Sequence, residues 1–196
     1  MLEIIKKIIA NVLTALYQPF SFAVILTILF MFLYLFAQEH GWKTVFRKWW
    51  NTFKSSTNFR KISLLAFYTS MILFRTLLNR TMCANPVSNV VGVWGLHDDN
   101  GQMTTEVLEN LALFIPFAIL LLWSFREKIV GKTVTLANVL WQSSKNTFLF
   151  SLIIEFLQLL FRLGTFQLSD LFYNTLGGLF GGFIYWLCYK SKHKNK

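Results

Sequence analysis

The sequence predicts an all-α protein, a polytopic transmembrane helical bundle of about five spans preceded by an N-terminal amphipathic helix. Three observations predict it. Of 196 residues, 55% are hydrophobic and 17% aromatic, including 21 Phe, while only 14% are charged, and the mean hydropathy is +0.49. Uncharged apolar runs over 19–37 and 171–189 match the ~20 residues needed to cross a hydrocarbon core about 30 Å thick. The basic residues, finally, gather between the apolar runs, where they read as topology signals.

The N-terminal segment, 1–18, puts Ile4, Ile5, Ile8, Ile9, Val12, Leu13 and Leu16 on one helical face, with Glu3, Lys6, Lys7 and Asn11 opposite. Such a helix lies in the membrane interface. No small-x-small cleavage site precedes Pro19, so the segment is read as uncleaved. A second unit, 19–61, joins the first span to a loop carrying Lys43, Arg47, Lys48, Lys54, Arg60 and Lys61 with Trp42, Trp49 and Trp50 interleaved. That loop is expected on the cytoplasmic side.

The third unit, 62–189, is expected to be a four-helix membrane domain. Its first span, 62–78, contains Arg75 and ends at Asn79 and Arg80, and the loop to Thr105 has no Lys or Arg but has Asp98 and Asp99, so it is placed outside. The next span, about 107–125, opens with Glu106, Glu109 and Asn110 and holds Pro116, which membrane helices tolerate. Arg126, Lys128, Lys132 and Lys145 mark 126–145 as cytoplasmic, a fourth span runs out to Leu163, and a fifth returns to the basic tail, 190–196. A multi-pass protein with a cytoplasmic C-terminus follows. The side of the N-terminal helix stays open, because this topology puts Lys6 and Lys7 outside.

Polar residues interrupt this apolar pattern in one region. Glu155, Gln158 and Arg162 recur at spacings of three and four and share a helical face with Ser151 and Thr147. Asp170 and Asn174 open the next helix, with Gly177 and Gly181 continuing their face. At 1.5 Å per residue, Glu155 lies about 10 Å below the outer end of its helix. Arg75, Glu109 and Asn110 fall at a similar depth. Ionisable groups inside a span are costly and point to function, so Arg75, Glu109, Asn110, Glu155, Gln158, Arg162, Asp170 and Asn174 are predicted to line an outward-facing pocket. The plainer alternative is that the Arg residues pair with the acids only to hold the bundle together. Gly177 with Gly181 and Gly178 with Gly182 form two overlapping G-x-x-x-G patterns that permit close helix packing, expected within the monomer.

These residues also carry a resemblance. Glu155 and Gln158, then Leu163-Gly164-Thr165-Phe166, Asp170, Asn174 and Gly177-Gly178 resemble the signature of the VanZ-like membrane protein family. Asn110 with Phe114, Pro116 and Phe117 is similar to its earlier element, and Arg75 to the arginine of the preceding helix. The resemblance covers about 62–186 and departs at Gln167 and Ser169, where members often carry acids. It implies a bacterial cell-membrane protein related to the accessory factor of glycopeptide resistance that acts against teicoplanin, a lipid-tailed antibiotic. A phosphate, carboxylate or sugar headgroup suits Arg75 and Arg162, whose guanidinium forks bind oxyanions bidentately.

Several classes are excluded or disfavoured. The net charge of +10 is spread over loops and tails, which argues against nucleic acid. No nucleotide-binding glycine loop, H-E-x-x-H or G-x-S-x-G is present, so no cofactor is expected. His97-Asp98-Asp99 reads as a solvated turn instead of a metal site, and Cys83 and Cys188 fall at opposite faces, which excludes a disulfide between them. The favoured expectation is a binding protein that engages a membrane lipid, a lipid-linked cell-wall precursor or a lipid-tailed glycopeptide. The alternative is an intramembrane enzyme acting on a lipid headgroup, with Glu155 as general base. A proton-relay transporter is disfavoured, because the inner halves of the helices offer little polarity.

Overall fold

A computed structural model describes residues 20–78, 80, 82–95 and 105–194. The expected amphipathic helix over 1–18, Asn79 and the His97, Asp98 and Asp99 turn lie outside the described residues. Among the described residues the chain is all-helical: α1 (Phe20–His40), α2 (Trp42–Ser55), α3 (Thr57–Leu73) running into a π-helical turn (Phe74–Leu78), α4 (Glu106–Ile129), α5 (Leu136–Phe161) and α6 (Leu168–Lys194).

The segment expected as a basic loop after the first span is a helix. Gly41, at φ 75°, breaks α1 from α2, and Trp42, Phe46, Trp49, Trp50 and Phe53 then recur at helical spacing, with Lys43, Arg47 and Lys54 on another face. None of its residues is buried. The interleaving of Trp with Lys and Arg was itself the helical period. Ser56 ends α2 and caps α3, its hydroxyl accepting from the Phe59 amide at 3.2 Å.

Helix α5 likewise begins inside the second expected loop, where the Thr135 hydroxyl caps it by accepting from the Asn138 amide at 3.3 Å. Helices outrun their apolar cores because backbone hydrogen bonding continues into the interface. Helix α6 packs along both α4 and α5, and α3 packs on α4. A core of Leu65, Ile72, Leu77, Phe114, Phe117, Ile154 and Leu163 joins α3, α4 and α5. The π turn at the end of α3 places Leu77 in that core.

Helices α4 and α5 are each long and apolar enough to cross a membrane. Only 22% and 28% of their apolar windows are buried within the protein, whereas the core helix of a water-soluble domain would be mostly covered. The polarity of α5 is inverted: Ser143, Thr147, Ser151, Glu155 and Gln158 are buried, while Leu152, Ile153, Phe156 and Leu160 are exposed. Water would oppose that arrangement on both faces and hydrocarbon favours it.

The glycines of α6 serve two different neighbours. A Cβ at Gly177 or Gly181 would stand 2.5 Å from the carbonyl oxygens of Leu111 and Ile115 on α4. One at Gly182 would stand 2.7 Å from the Ser143 Cβ on α5, and one at Gly178 would overlap the Thr147 side chain. Each G-x-x-x-G stripe thus faces its own helix within the chain, and α6 is the wedge that sets the spacing of the bundle.

Candidate functional site: a polar cluster beneath a groove

The site lies where α3, α4, α5 and the start of α6 end together. Helix α5 stops in a Schellman arrangement, with the Leu163 amide donating to the Gln158 carbonyl at 2.9 Å and the Arg162 amide to the Leu159 carbonyl at 3.3 Å. Arg162 occupies the left-handed position at φ 54°, usually taken by Gly. The turn after it carries the polar residues back over the helix end. The Gln167 amide donates to Glu155 Oε2 at 3.1 Å, holding a carboxylate that is 2% exposed.

Gln158, also 2% exposed, donates through Nε2 to the Thr76 carbonyl at 2.7 Å. That carbonyl belongs to the last turn of the α3 extension, where helical partners run out. Asn110 donates to Asp170 Oδ1 at 2.6 Å, linking α4 to the N-terminus of α6. Asn174 donates to Ser151 Oγ at 2.8 Å, so the polar stripes of α5 and α6 meet. Asn174 Oδ1 and Thr147 Oγ1, both buried, have no hydrogen-bond partner among the described residues.

Above this cluster is a groove of about 340 Å³ lined by Arg75, Thr76, Arg80, Thr105, Glu106, Glu109, Asn110 and Leu113. Arg75 Nη2 pairs with Glu109 Oε2, and Thr105 donates to the other oxygen, Glu109 Oε1, at 2.6 Å. The pair is half-exposed, at 55% and 47%, so it forms the mouth. Arg80 and Glu106 act electrostatically on both Glu155 and Asp170, and the two acids act on one another. Arg80 also lies against Gly164, where a Cβ would stand 3.6 Å from Nη1.

The loop 82–95 covers the far side of the cluster. Its Cys83 amide donates to the Arg162 carbonyl at 2.8 Å, and its Pro86 and Val90 carbonyls accept from Phe166 and Leu168, each at 2.8 Å. Gly92, at φ 74°, sits where a Cβ would overlap Ser169 Oγ. Trp94 lies beside the Phe172 ring at 5.3 Å, which closes this flank.

The sequence profile of the VanZ/LLP1 family matches residues 20–189. This chain belongs to the VanZ/LLP1 family. A curated relative, Protein VanZ of Enterococcus faecium, is 30% identical over 116 residues, covering 55% of this chain and 65% of the relative. The aligned region thus spans less than two thirds of that protein's length. No solved structure matches the chain.

In this VanZ/LLP1 protein the predicted site residues divide into four groups. Glu155, Gln158, Asp170 and Asn174 are buried together, Asn110 bridges from them to the groove, and Arg75 and Glu109 form its mouth. Arg162 is set apart, since its left-handed backbone turns it off the α5 stripe and leaves it exposed at the helix end. Sequence reasoning noted Glu106, Arg80 and Gln167 without assigning them to the pocket lining, and passed over Thr76. Glu106 lies three and four residues before Glu109 and Asn110, a spacing that signals a shared face. The contribution of Thr76 is a backbone carbonyl, which no side-chain pattern reveals.

Proposed function

We propose that this VanZ/LLP1 protein is a multi-pass membrane protein whose polar groove opens outward and binds the headgroup of a membrane lipid or lipid-linked cell-wall precursor, or a lipid-tailed glycopeptide, lowering the action of such drugs. One observation carries the reading: a groove lined by Arg75 and Arg80 reaches the buried Asp170 through Asn110, and Arg80 and Glu106 of its lining act electrostatically on the buried Glu155. Guanidinium groups at the mouth bind phosphate or carboxylate, and the acids and amides beneath accept from, or donate to, hydroxyls and amines. Arg162, exposed at the end of α5 and outside the groove lining, offers a further cation to a ligand that extends beyond the groove. Family membership supports a resistance-related role.

The proximity of Glu155 to Asp170 favours a second reading, an enzyme that modifies the bound headgroup with one of these carboxylates as base. Mass analysis of lipid extracts after incubation with the purified protein separates the two, since only the enzyme releases an altered headgroup.

The test is expression in a susceptible bacterium, comparing a lipid-tailed glycopeptide with one lacking the tail. The chain is expected to raise the inhibitory concentration of the first drug alone. Arg75→Ala and Glu155→Gln should each remove this protection at unchanged membrane abundance. Full protection by the double variant would refute the groove as the working site. A fall in abundance with either change would instead show that these side chains serve the fold, Glu155 through its buried carboxylate and Arg75 through its half-exposed pair with Glu109.

A further inference from the structure

A second cleft lies at the opposite, basic end of the bundle. It has a volume of about 860 Å³ and is walled by α3, α4 and α6. Lys61, Arg126, Lys128 and Lys192 line it, and the one carboxylate among its lining residues, Glu127, is 81% exposed and paired with Arg126 at 2.9 Å. The cleft therefore carries an excess of positive charge.

Its cations are held by aromatic rings. Lys61 Nζ stands 5.0 Å from the Trp123 ring centre, Arg126 Cζ 5.2 Å from that of Tyr189, and Lys128 Nζ 5.7 Å from that of Phe125. A ring face orients a cation without neutralising it, so the charge stays available to an anion. At Phe125 the backbone of α4 leaves helical geometry, with φ −128° and ψ 24°, turning the final basic turn relative to the span below. Ser124 Oγ, in the same wall, is buried without a hydrogen-bond partner among the described residues. Deeper in, Ile62, Ile119 and Leu120 make the lining apolar.

Cations at the rim, an unpartnered hydroxyl among them and an aliphatic floor together match an amphipathic anion. We propose that this cleft is a binding site for an anionic phospholipid, with Lys61, Arg126 and Lys128 on the headgroup phosphate and the acyl chains leaving along α3 and α4. The site is separate from the outward groove, and it lies at the end to which the basic segments assign the cytoplasmic leaflet. Retention of such a lipid would pin α3 to α4 and α6 without involving the polar cluster at the other end.

The test uses the full chain in detergent, titrated with short-chain phosphatidylglycerol, with phosphatidylcholine and with inorganic phosphate, and read by native mass spectrometry and thermal melting. One phosphatidylglycerol is expected to bind with a preference over phosphatidylcholine of roughly tenfold or more. Lys61→Gln with Lys128→Gln should erase the preference, while Lys43→Gln with Lys54→Gln, which removes the same charge from α2, should leave it intact. All four lysines lie outside the apolar core, Lys61 half-buried and the other three exposed, and Ser124→Ala gives a third variant that keeps every charge and is expected to weaken binding. Equal loss in the two lysine pairs would mean diffuse surface attraction and overturn the site. Binding or stabilisation by inorganic phosphate at the same concentrations would overturn the lipid assignment. Retained preference in the cleft variant would overturn both.

Discussion

Substituting Gly178 by Ala adds one methyl group at the tightest point of the bundle. The new Cβ would stand 2.5 Å from the Thr147 Cβ and closer still to its hydroxyl, against an ordinary carbon separation of about 3.5–4.0 Å. Helices α5 and α6 must therefore part by roughly 1 Å, or Thr147 must leave its rotamer. Parting also stretches the bond from Ser143 Oγ to the Gly178 carbonyl, now 2.6 Å. Overpacking costs about 1–3 kcal/mol and the weakened bond about 0.5–1.5 kcal/mol, so a loss of about 2–4 kcal/mol is expected. Denaturant unfolding in detergent micelles reads it as a lowered midpoint. Gly95→Ala is the control, because no described residue places an atom within 4 Å of a Cβ at that position. A Gly178→Ala protein that unfolds with the wild type would refute the wedge role of α6.

Two further outcomes follow from the site itself. Gln158→Leu keeps the side-chain volume but strands the Thr76 carbonyl, so stability should fall by about 1–3 kcal/mol, measured by the same unfolding curve; an unchanged midpoint would mean that the π turn finds another donor. Arg162→Gly relieves a left-handed conformation that costs a non-glycine residue about 1–2 kcal/mol, offset by the added freedom of the unfolded chain. Stability should therefore be equal or slightly raised while drug protection falls, and a destabilised variant would show that the guanidinium contributes to the fold.

The helices were legible because period and charge agree in them. The stripe Thr147, Ser151, Glu155 and Gln158 needed only the helical repeat, and its burial follows from the apolar residues on the other faces of α5. Helix α2 was not legible as a helix, since the density of Lys and Arg marked topology more strongly than the Trp and Phe spacing marked structure. Arg162 shows the other limit. Its place in the i, i+3, i+7 series assumes that the helix continues, whereas Gly164 and the left-handed turn end α5 one residue earlier. The G-x-x-x-G stripes implied close packing, but only the fold assigns Gly177 and Gly181 to α4, and Gly178 and Gly182 to α5.

The division of polar residues between depth and mouth bears on why the cluster exists at all. Bundle stability alone would be met by each carboxylate finding one partner and burying it. Glu109 finds side-chain partners in Arg75 and Thr105, half-exposed at the mouth. Glu155 does not: it is among the most buried charged side chains, and its hydrogen bond comes from the backbone amide of Gln167, a donor available whatever side chain stands at 167. Arg80 and Glu106 act on it from the groove side with opposite signs, and neither neutralises the carboxylate alone. Substituting apolar residues for a buried charge network is often neutral or stabilising, so a purely structural Glu155 would be easily dispensed with. Its placement below a groove whose mouth is an exposed ion pair is intelligible if a ligand completes the balance of charge. The buried, unpartnered Asn174 Oδ1 and Thr147 Oγ1 extend the same line of polar groups along the α5 and α6 interface. Buried polar atoms without partners among the described residues, beneath an open groove, are what favour the proposed binding role over a purely structural clamp.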